Sequence, residues 1–271
     1  MSLRSLHDRA ALEARFRRDP ALHLMELGDL DDLLWPHTSW FGLAPDGPVA
    51  LLYAVGDIPT VLAFGAADEA SAVEDLVREL LPVLPRRFFG HLTGDAAEIL
   101  AEAYEVHRHG TLLRMALTDP GRAAAAYPAD RWTPAALGRA DLPELLELFA
   151  AAYPGNWFDD RMIDTGQYLG ARLDGRLVAV AGVHAWPPVQ RVAVLGNVTT
   201  HPEARRQGAA GACVAALCRQ LAETADHIGL NVRADNTAAV DLYRRLGFTD
   251  VTTFTEATFT ARAQPAGPGR A

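Results

Sequence analysis

The chain reads Val198-Thr-Thr-His-Pro-Glu-Ala-Arg-Arg-Gln-Gly-Ala-Ala-Gly211 between an apolar run and a long helical pattern. The apolar run predicts a strand over Val192–Thr200, and the repeat downstream predicts a helix from about Gly208 to Thr224. The first amides of a helix have no partner within it and lie at the positive end of its dipole. Because the residues at this helix start have little or no side chain, the sequence predicts a pyrophosphate site. The alternative is that small residues let the helix pack closely on its sheet.

A dinucleotide-binding turn is the main rival for a glycine-containing helix start. That fold needs Gly-x-Gly-x-x-Gly immediately after a strand and an acidic residue about twenty positions later. Here seven residues separate Thr200 from Gly208, the first glycine of the turn. The spacing therefore argues against a nicotinamide cofactor.

A second motif follows about thirty residues downstream and reads Asn231-Val-Arg-Ala-Asp-Asn-Thr-Ala-Ala-Val-Asp-Leu-Tyr-Arg-Arg-Leu-Gly-Phe248. The two motifs resemble those of the GNAT superfamily of N-acetyltransferases. The first is similar to the acyl-CoA loop Arg/Gln-x-x-Gly-x-Gly/Ala, with Arg205, Gly208 and Ala210 at the fixed positions. The resemblance covers roughly residues 130 to 260, and the stretch before the predicted hairpin extends it towards bacterial members with an extra N-terminal half.

The resemblance implies that acetyl-CoA is the co-substrate and that no metal is needed. Backbone groups of Val198, Thr199 and Thr200 would bind the pantetheine arm like an added strand, and Asn236 would also contact this arm. The helix start would hold the pyrophosphate with its amides and place arginines beside the phosphates; its residues are Arg205, Arg206, Gln207, Gly208, Ala209, Ala210 and Gly211.

The resemblance also implies a general acid. Tyr243 stands where the family places the tyrosine that protonates the departing CoA thiolate. A phenol with a pKa of about 10 remains protonated at neutral pH and can donate to a thiolate whose conjugate acid has a pKa of about 8.5. A tyrosine that only packs its ring is the alternative. The base is less defined: Val192–Thr200 has no acidic residue, and His184 on the neighbouring strand is the nearest titratable candidate.

The composition excludes several other chemistries. The chain has 271 residues, and all 25 of its basic side chains are arginine. The sequence therefore has no lysine for a Schiff base, for a general base or for a Gly-Lys phosphate loop. Cys213 and Cys218 lie five positions apart in one predicted helix, a spacing that fits neither a metal pair nor a disulfide framework. Two buried thiols in a reducing cytosol are expected.

The sequence favours a cytoplasmic protein. Its first twenty residues mix basic and acidic side chains and lack the apolar run of a secretion signal. The uncharged stretch Leu177–Gln190 has fourteen residues, two of them proline, and is too short to span a bilayer. No membrane association is expected.

Charge is distributed unevenly along the chain. Residues 1–130 carry 20 acidic and 11 basic side chains, whereas residues 131–271 carry 14 of each. Neither half has the basic stripe that nonspecific nucleic-acid binding requires. An acidic half suits a cationic or amine partner, although an acidic surface that only favours solubility is the alternative. The resemblance implies a small-molecule or peptide amine as the acceptor, and a homodimer is an open possibility.

A composition shift near residue 120 divides the chain. Residues 119–130 have loop composition, with two prolines, so we predict an N-terminal α/β domain at 1–120, a linker at 121–130 and an acetyltransferase domain at 131–262. The Pro/Gly-rich tail at 263–271 is predicted to be disordered. The second domain is expected to have a GNAT-like mixed, largely antiparallel sheet flanked by helices. The smaller first domain is interpreted as a degenerate half-repeat of the same fold that does not bind CoA; an unrelated α/β domain is the alternative.

Periodicity gives the elements of each half. Upstream, helices are predicted at Leu6–Arg18, Ala70–Leu81 and Ala96–Tyr104, and strands at Leu22–Leu27, Ser39–Leu43, Val49–Val55, Thr60–Ala66, Phe88–Leu92 and Thr111–Leu117. Downstream we predict a helix at Leu142–Ala151, a hairpin of Tyr168–Leu173 and Arg176–Ala185, strands at Ile228–Val232, Val251–Thr253 and Glu256–Thr260, and a helix from Asn236 to Gly247.

The predicted function is acyl transfer, with acetyl from acetyl-CoA passing to a primary amine by direct attack. Two alternatives are a catalytically silent acyl-CoA sensor and a tandem enzyme with two CoA sites. An acyl-enzyme route is less attractive because neither cysteine has a histidine or a helix start near it in sequence to activate the thiol.

Overall fold

The structure is a computed structural model that describes residues 2–127 and 131–262. The elements of its first half are β1 Arg4–Leu6, α1 Arg9–Phe16, α2 Leu24–Gly28, β2 Thr38–Gly42, β3 Val49–Tyr53, β4 Thr60–Phe64, α3 Ala70–Leu80, β5 Arg87–Leu92, α4 Ala96–Ala101 and β6 Tyr104–Leu117. Those of its second half are α5 Pro120–Ala126, β7 Ala135–Ala136, α6 Leu142–Ala152, β8 Leu169–Leu173, β9 Arg176–Ala185, β10 Val192–Thr200, α7 Ala209–Leu221, β11 His227–Arg233, α8 Thr237–Arg245 and β12 Phe248–Ala261. The predicted tail and residues 128–130 of the predicted linker lie outside the described residues.

By packing, the chain forms two compact units, each assembled from separated segments. The first unit combines residues 2–22, 32–113 and 252–262, and the second combines His23–Asp31 with Arg114–Val251. β6 and β12 each contribute residues to both units. The short segment that contains α2 thus belongs to the second unit, although it lies near the start of the sequence.

In the first unit the strand order is β1-β2-β3-β4-β5-β12-β6. Strand β2 pairs antiparallel with β1 and β3, β3 with β4, and β5 with β12, whereas β4 and β5 run parallel with α3 connecting them. α3 buries one apolar face, formed by Val73, Leu76, Val77 and Leu80, in a cluster that includes Phe88 and Phe259 of the sheet. The helical spacing of those four residues is the one that the sequence predicts.

The second unit repeats this pattern of pairings with β6-β11-β10-β9-β8-β7. β10 and β11 are parallel, with α7 between them along the chain, whereas β7, β8, β9 and β10 pair antiparallel in turn. The predicted hairpin is confirmed: Asp174 and Gly175 have φ values of 50° and 83°, as a two-residue turn between β8 and β9 requires. The predicted α/β fold, a mixed and largely antiparallel sheet flanked by helices, is confirmed.

The two faces of the sheet in the second unit carry different helices. Val180 of β9 belongs to the same buried cluster as Phe149 of α6. Its neighbour Ala179 points the opposite way because side chains alternate along a strand. Ala179 pairs with Ala171, whose backbone bonds the Cys213 thiol of α7. α6 and α7 therefore cover opposite faces.

α2 lies on the face that α6 covers. Tyr168, from the α6 cluster, covers Gly182, which pairs with Gly196 of β10. Gly229 of β11 lies opposite the residue two positions before Gly196, and so points to the same face. A Cβ atom at Gly229 would lie 2.2 Å from Leu24 Cδ1 of α2, so only glycine allows this close approach.

Three sequence predictions are wrong. Leu22–Leu27 is predicted as a strand but forms α2, because a short apolar run does not by itself distinguish a strand from a buried helix. The predicted loop at 119–130 contains α5: Asp119 caps it by accepting from Arg122 N at 3.0 Å, a proline follows, and alanines continue the helix. The strands predicted at Val251–Thr253 and Glu256–Thr260 are parts of one strand, β12.

The structure also bears on the predictions about the two thiols and about membrane spans. Cys213 and Cys218 are buried and are not joined in a disulfide, as predicted. Among residues 2–127 and 131–262 there is no helix with the length and apolar character needed to cross a membrane.

Candidate active site

Two parallel strands separate at the centre of the second unit. Pairing of β10 with β11 runs from Val192 and His227 to Leu195 and Leu230, although both strands continue further. We call the gap between Gly196–Thr200 and Asn231–Arg233 the strand opening. On this side the backbone groups of Gly196–Thr200 have no paired strand within the described chain, so an extended ligand could add there as a strand does.

A β-bulge accompanies the strand opening. The register of β10 against β9 slips between Gly196 and Thr199, and Asn197 within the slip has a φ of 55°. Such a bulge bends one strand and increases its twist, which turns β10 away from β11. Asparagine tolerates this left-handed conformation better than most residues.

The loop after β10 forms an anion-binding geometry. Arg206 and Gly208 both have positive φ, 61° and 88°, and α7 begins at Ala209. The bond from Ala212 N to Gly208 O, 3.0 Å long, is the first of the helix, so the amides just before Ala212 have no helical acceptor. Left-handed residues near such amides make concave anion sites, here formed by the helix-start loop Arg205–Gly211.

Aromatic residues fix this loop from the side. Trp132 Nε1 donates to Gln207 O at 2.8 Å. Tyr127 lies against the helix start, where a Cβ atom at Gly211 would fall 2.2 Å from its Cζ. The glycine at 211 is therefore explained by close packing. Arg205 and Arg206 are exposed and make no ion pair within the described part of the chain.

Helix α8 carries Tyr243, the predicted general acid. Asn236 caps it by accepting from Ala239 N at 3.3 Å, and Gly247, with a φ of 92°, follows its end. Tyr243 is buried and packs edge-on against Phe248 at 5.8 Å between ring centroids. Burial raises the pKa of Tyr243, and the nearby Cys218 raises it further, so the phenol keeps its proton at neutral pH.

His184 lies on β9 beside the strand opening. A Cβ atom at Gly196 would fall 2.0 Å from His184 Cδ2, so the imidazole covers the first residue of the opening. The side chain is exposed, yet desolvation by the surrounding protein lowers the pKa of its imidazole. The lowered pKa keeps the exposed imidazole neutral at pH 7, so it can accept a proton.

A buried polar chain supports the bulge on the same face. Asn197 Nδ2 donates to Tyr168 Oη at 2.9 Å, and Tyr168 Oη donates to Val183 O at 3.0 Å. Burial raises the pKa of Tyr168 to about 12. Asn197 Oδ1 is buried and has no hydrogen-bond partner within residues 2–127 and 131–262. The bulge thus presents an acceptor atom whose hydrogen bond the described protein does not supply.

A buried ion pair between α2 and β6 is bonded to the first β11 residue of the strand opening. Glu26 and Arg114 are each 1% exposed and form an ion pair at 3.6 Å. Arg114 Nε donates to Asn231 Oδ1 at 3.1 Å, and Asn231 is the first β11 residue of the strand opening. Neither residue is predicted as a site residue from the sequence, because Glu26 falls in a segment predicted as a strand of the other domain.

Part of the predicted set of site residues lies around the strand opening. Val198, Thr199 and Thr200 line the strand opening, the helix-start loop follows it, and His184 covers its first residue. Residues 136–248 match the family model described as the acetyltransferase (GNAT) family. This part of the chain is therefore similar to the GNAT superfamily, whose members generally use acetyl-CoA as co-substrate.

Solved structures share the fold over most of the chain. A Drosophila protein is 15% identical, with a TM-score of 0.68, and the match covers 96% of this chain and 98% of that one. GCN5-related N-acetyltransferases from Kribbella flavida and Sphaerobacter thermophilus are 19% and 16% identical, with TM-scores of 0.57 and 0.56. Those matches cover 91% and 94% of this chain, and 95% and 94% of the two structures. A search against curated proteins finds no match.

Proposed function

We propose that the protein transfers an acetyl group from acetyl-CoA to a primary amine by direct attack of the amine on the thioester. The observation that carries this proposal is the strand opening: pairing of β10 with β11 stops at Leu195 and Leu230, β10 continues to Thr200, and the helix-start loop follows. Amine-dependent release of free CoA from acetyl-CoA tests it.

The strand opening and the helix-start loop bind different parts of acetyl-CoA. The pantetheine amides pair with the free backbone of Val198, Thr199 and Thr200, and Asn236 contacts the same arm from the start of α8. The pyrophosphate binds the amides from Arg206 to Ala210, where charge-assisted hydrogen bonds are strong. Arg205 and Arg206, both exposed, lie beside the phosphates.

Proton transfers are divided between two side chains. An amine that arrives as an ammonium ion must lose a proton before its nitrogen attacks the carbonyl carbon. His184, neutral and exposed beside Gly196, accepts this proton. The C–S bond then breaks, and the thiolate takes a proton from Tyr243, whose raised pKa keeps it protonated until that step.

The two cysteines support direct attack over an acyl-enzyme. A cysteine nucleophile must be a thiolate, which needs a lowered pKa and access to the substrate. Burial instead raises the pKa of Cys213 and of Cys218 to about 12. Neither thiol is therefore ionised at neutral pH.

The proposed role of His184 predicts a pH profile. Its lowered pKa lies below the ordinary value of about 6.5, so the imidazole stays neutral as pH falls to that value. We expect kcat/KM to hold from pH 8 to about 6.5 and to fall at lower pH, as His184 takes up a proton. We expect His184→Ala to reduce kcat by about 100-fold and to remove this acidic limb. A variant that keeps the wild-type rate and profile would exclude His184 as the base.

The first unit is proposed to lack a CoA site. Its parallel strands β4 and β5 remain paired through Ala63 and Leu92, and the next residues are tied as Thr93 N donates to Ala63 O at 3.1 Å. Glu69 Oε2 accepts from Ala66 N at 2.9 Å, so a carboxylate occupies the place of an anion. These contacts and the matching order of pairings support a degenerate half-repeat.

A closed first unit predicts one acetyl-CoA per chain. Titration calorimetry of the full chain with acetyl-CoA is expected to give a stoichiometry of about one, because only the second unit has a strand opening. The control is the double variant Arg205→Ala and Arg206→Ala. It should bind acetyl-CoA more weakly, and its titration should show no second binding event. Two sites per chain would favour a tandem enzyme.

A further inference from the structure

One buried charged cluster on the α6 face is not used by the proposed proton transfers. It consists of Glu26 and Asp29 from α2 and its end, and Arg114 from β6. Glu26 Oε1 lies 3.2 Å from His23 Nδ1, and Glu26 Oε2 lies 3.6 Å from Arg114 Nη1. Both neighbours favour the ionised form, and the pKa of Glu26 is lowered even though burial alone would raise it. Glu26 and Arg114 therefore neutralise each other.

The cluster lies where the two parallel strands separate. Arg114 is bonded to Asn231, the residue directly after the last β11 residue that pairs with β10. α2 itself packs over Gly229, two positions earlier, on the face to which Gly196 also points. The cluster and the His184 ring over Gly196 thus flank the start of the strand opening from the same face. The helix-start loop for the phosphates belongs to α7, on the opposite face.

Asp29 is the member of the cluster that forms no ion pair within the described residues. It is 9% exposed and makes no side-chain hydrogen bond or ion pair within the described residues. It caps the C-terminal end of α2, where the helix dipole disfavours negative charge. Burial raises its pKa well above the ordinary value, and the charge of Glu26 raises it further while Arg114 acts in the opposite direction. Arg114 already pairs with Glu26, so two buried carboxyl groups share one guanidinium, and burying the second carboxyl group costs free energy.

We propose that Asp29 is the carboxylate that binds the ammonium group of the acceptor, which makes the acceptor a primary alkylammonium compound. This inference rests on the proposed acetyl transfer. A cation beside Asp29 supplies the missing charge, favours the ionised carboxylate and brings the nitrogen to the same side as His184. Glu26 does not suit this role because Arg114 already neutralises it.

The assignment gives a balanced reaction. The ammonium nitrogen, held by Asp29, gives one proton to His184 and attacks the carbonyl carbon of the thioester. As the C–N bond forms and the C–S bond breaks, the sulfur gains a proton from Tyr243, and the second proton lost by the nitrogen returns to the Tyr243 phenolate through solvent. His184 then releases the first proton. The products are the N-acetyl amide, CoA and one proton released to solvent. Asp29 holds the nitrogen and does not need to change its own protonation during the transfer.

The test is Asp29→Asn, which copies the shape of the neutral carboxyl group. Wild type and variant are compared with n-butylamine, 1,4-diaminobutane and the peptide Ala-Ala-Ala, and with aniline as a weakly basic amine. The wild type is expected to use the alkylamines and not aniline. In the variant, KM for alkylamines is expected to rise at least about tenfold, the effect of losing one charged hydrogen bond, while KM for acetyl-CoA stays unchanged. Tm at pH 7 is expected to be equal or higher, since asparagine keeps the shape of the carboxyl group and carries no charge that would have to be buried.

The control is Asp174→Asn, at an exposed turn position with a φ of 50° that asparagine adopts readily. Equal KM values for alkylamines in wild type and Asp29→Asn, or equal use of aniline and alkylamines by the wild type, would overturn the inference while leaving acetyl transfer intact. Absence of release with every amine would instead contradict the proposed function. Calorimetric titration of n-butylamine into the CoA complex then decides on Asp29: binding that the variant loses supports its role, and binding that the variant keeps, or no binding to wild type, refutes it.

Discussion

Replacing Ala210 by glutamate is expected to lower the affinity for acetyl-CoA by about 100-fold or more. Ala210 is in the first turn of α7, beside the amides proposed to bind the pyrophosphate. A carboxylate there repels the phosphates and competes for the same amides. Each hydrogen bond to a charged group contributes about 1.5–3 kcal/mol, so the loss of two accounts for a change of this size.

The fold is expected to survive this change. A glutamate in the first turn of a helix stabilises it by about 0.3–1 kcal/mol through the dipole. The first unit already has such an arrangement, with the Glu69 carboxylate accepting from Ala66 N at the start of its helical segment. Ala210→Gln is the matched control, since it adds nearly the same bulk without charge and should weaken binding much less. Calorimetry that gives wild-type affinity for Ala210→Glu would place the pyrophosphate elsewhere.

Tyr243→Phe is expected to lower kcat by at least about tenfold, and up to the 100-fold that general acids commonly provide, without weakening acetyl-CoA binding. The hydroxyl group acts only when the thiolate leaves, whereas the ring keeps its edge-on contact with Phe248. Because the phenol is buried and its pKa is raised, the loss should be nearly constant from pH 7 to 9.

Tyr104→Phe gives the comparison for Tyr243. Its hydroxyl group donates to Pro85 O at 3.1 Å in the first unit, so the same atom is removed away from the proposed chemistry. We expect wild-type turnover for Tyr104→Phe and a slow chemical step for Tyr243→Phe in single-turnover kinetics. Equal turnover in both variants would exclude Tyr243 as the acid.

The sequence was most informative where local patterns determine local structure. The helix start at Gly208, the hairpin turn at Asp174 and Gly175, and the cap at Asn236 all follow from residue types and spacing, and the structure has each of them. The two motifs also placed the second unit in its family. Such features need no knowledge of distant parts of the chain.

Long-range packing explains what the sequence did not reveal. Asn197 looks like an ordinary strand residue, and its left-handed conformation depends on the register of β10 against β9. Leu24 gives α2 an apolar contact with Gly229, more than two hundred residues away in sequence. Hydrophobic periodicity therefore does not predict the charged cluster on α2, and His184 is the one titratable residue that the sequence analysis names for the acceptor site.

The predicted division into domains at 1–120 and 131–262 stays a prediction. Composition changes near residue 120, yet β6 and β12 each contribute residues to both compact units. A linear division of the chain does not express such an exchange of segments. Whether the first unit arose as a half-repeat stays a prediction, supported by its matching order of parallel and antiparallel pairs.

Release of CoA from acetyl-CoA, measured with and without a panel of amines, tests the central proposal most directly. We expect release that depends on a primary alkylamine, forms the N-acetyl product in equal amount and is lost in Ala210→Glu. The contradicting result is tight binding of acetyl-CoA by the wild type with no amine-dependent release for any acceptor, which would make the protein an acyl-CoA sensor.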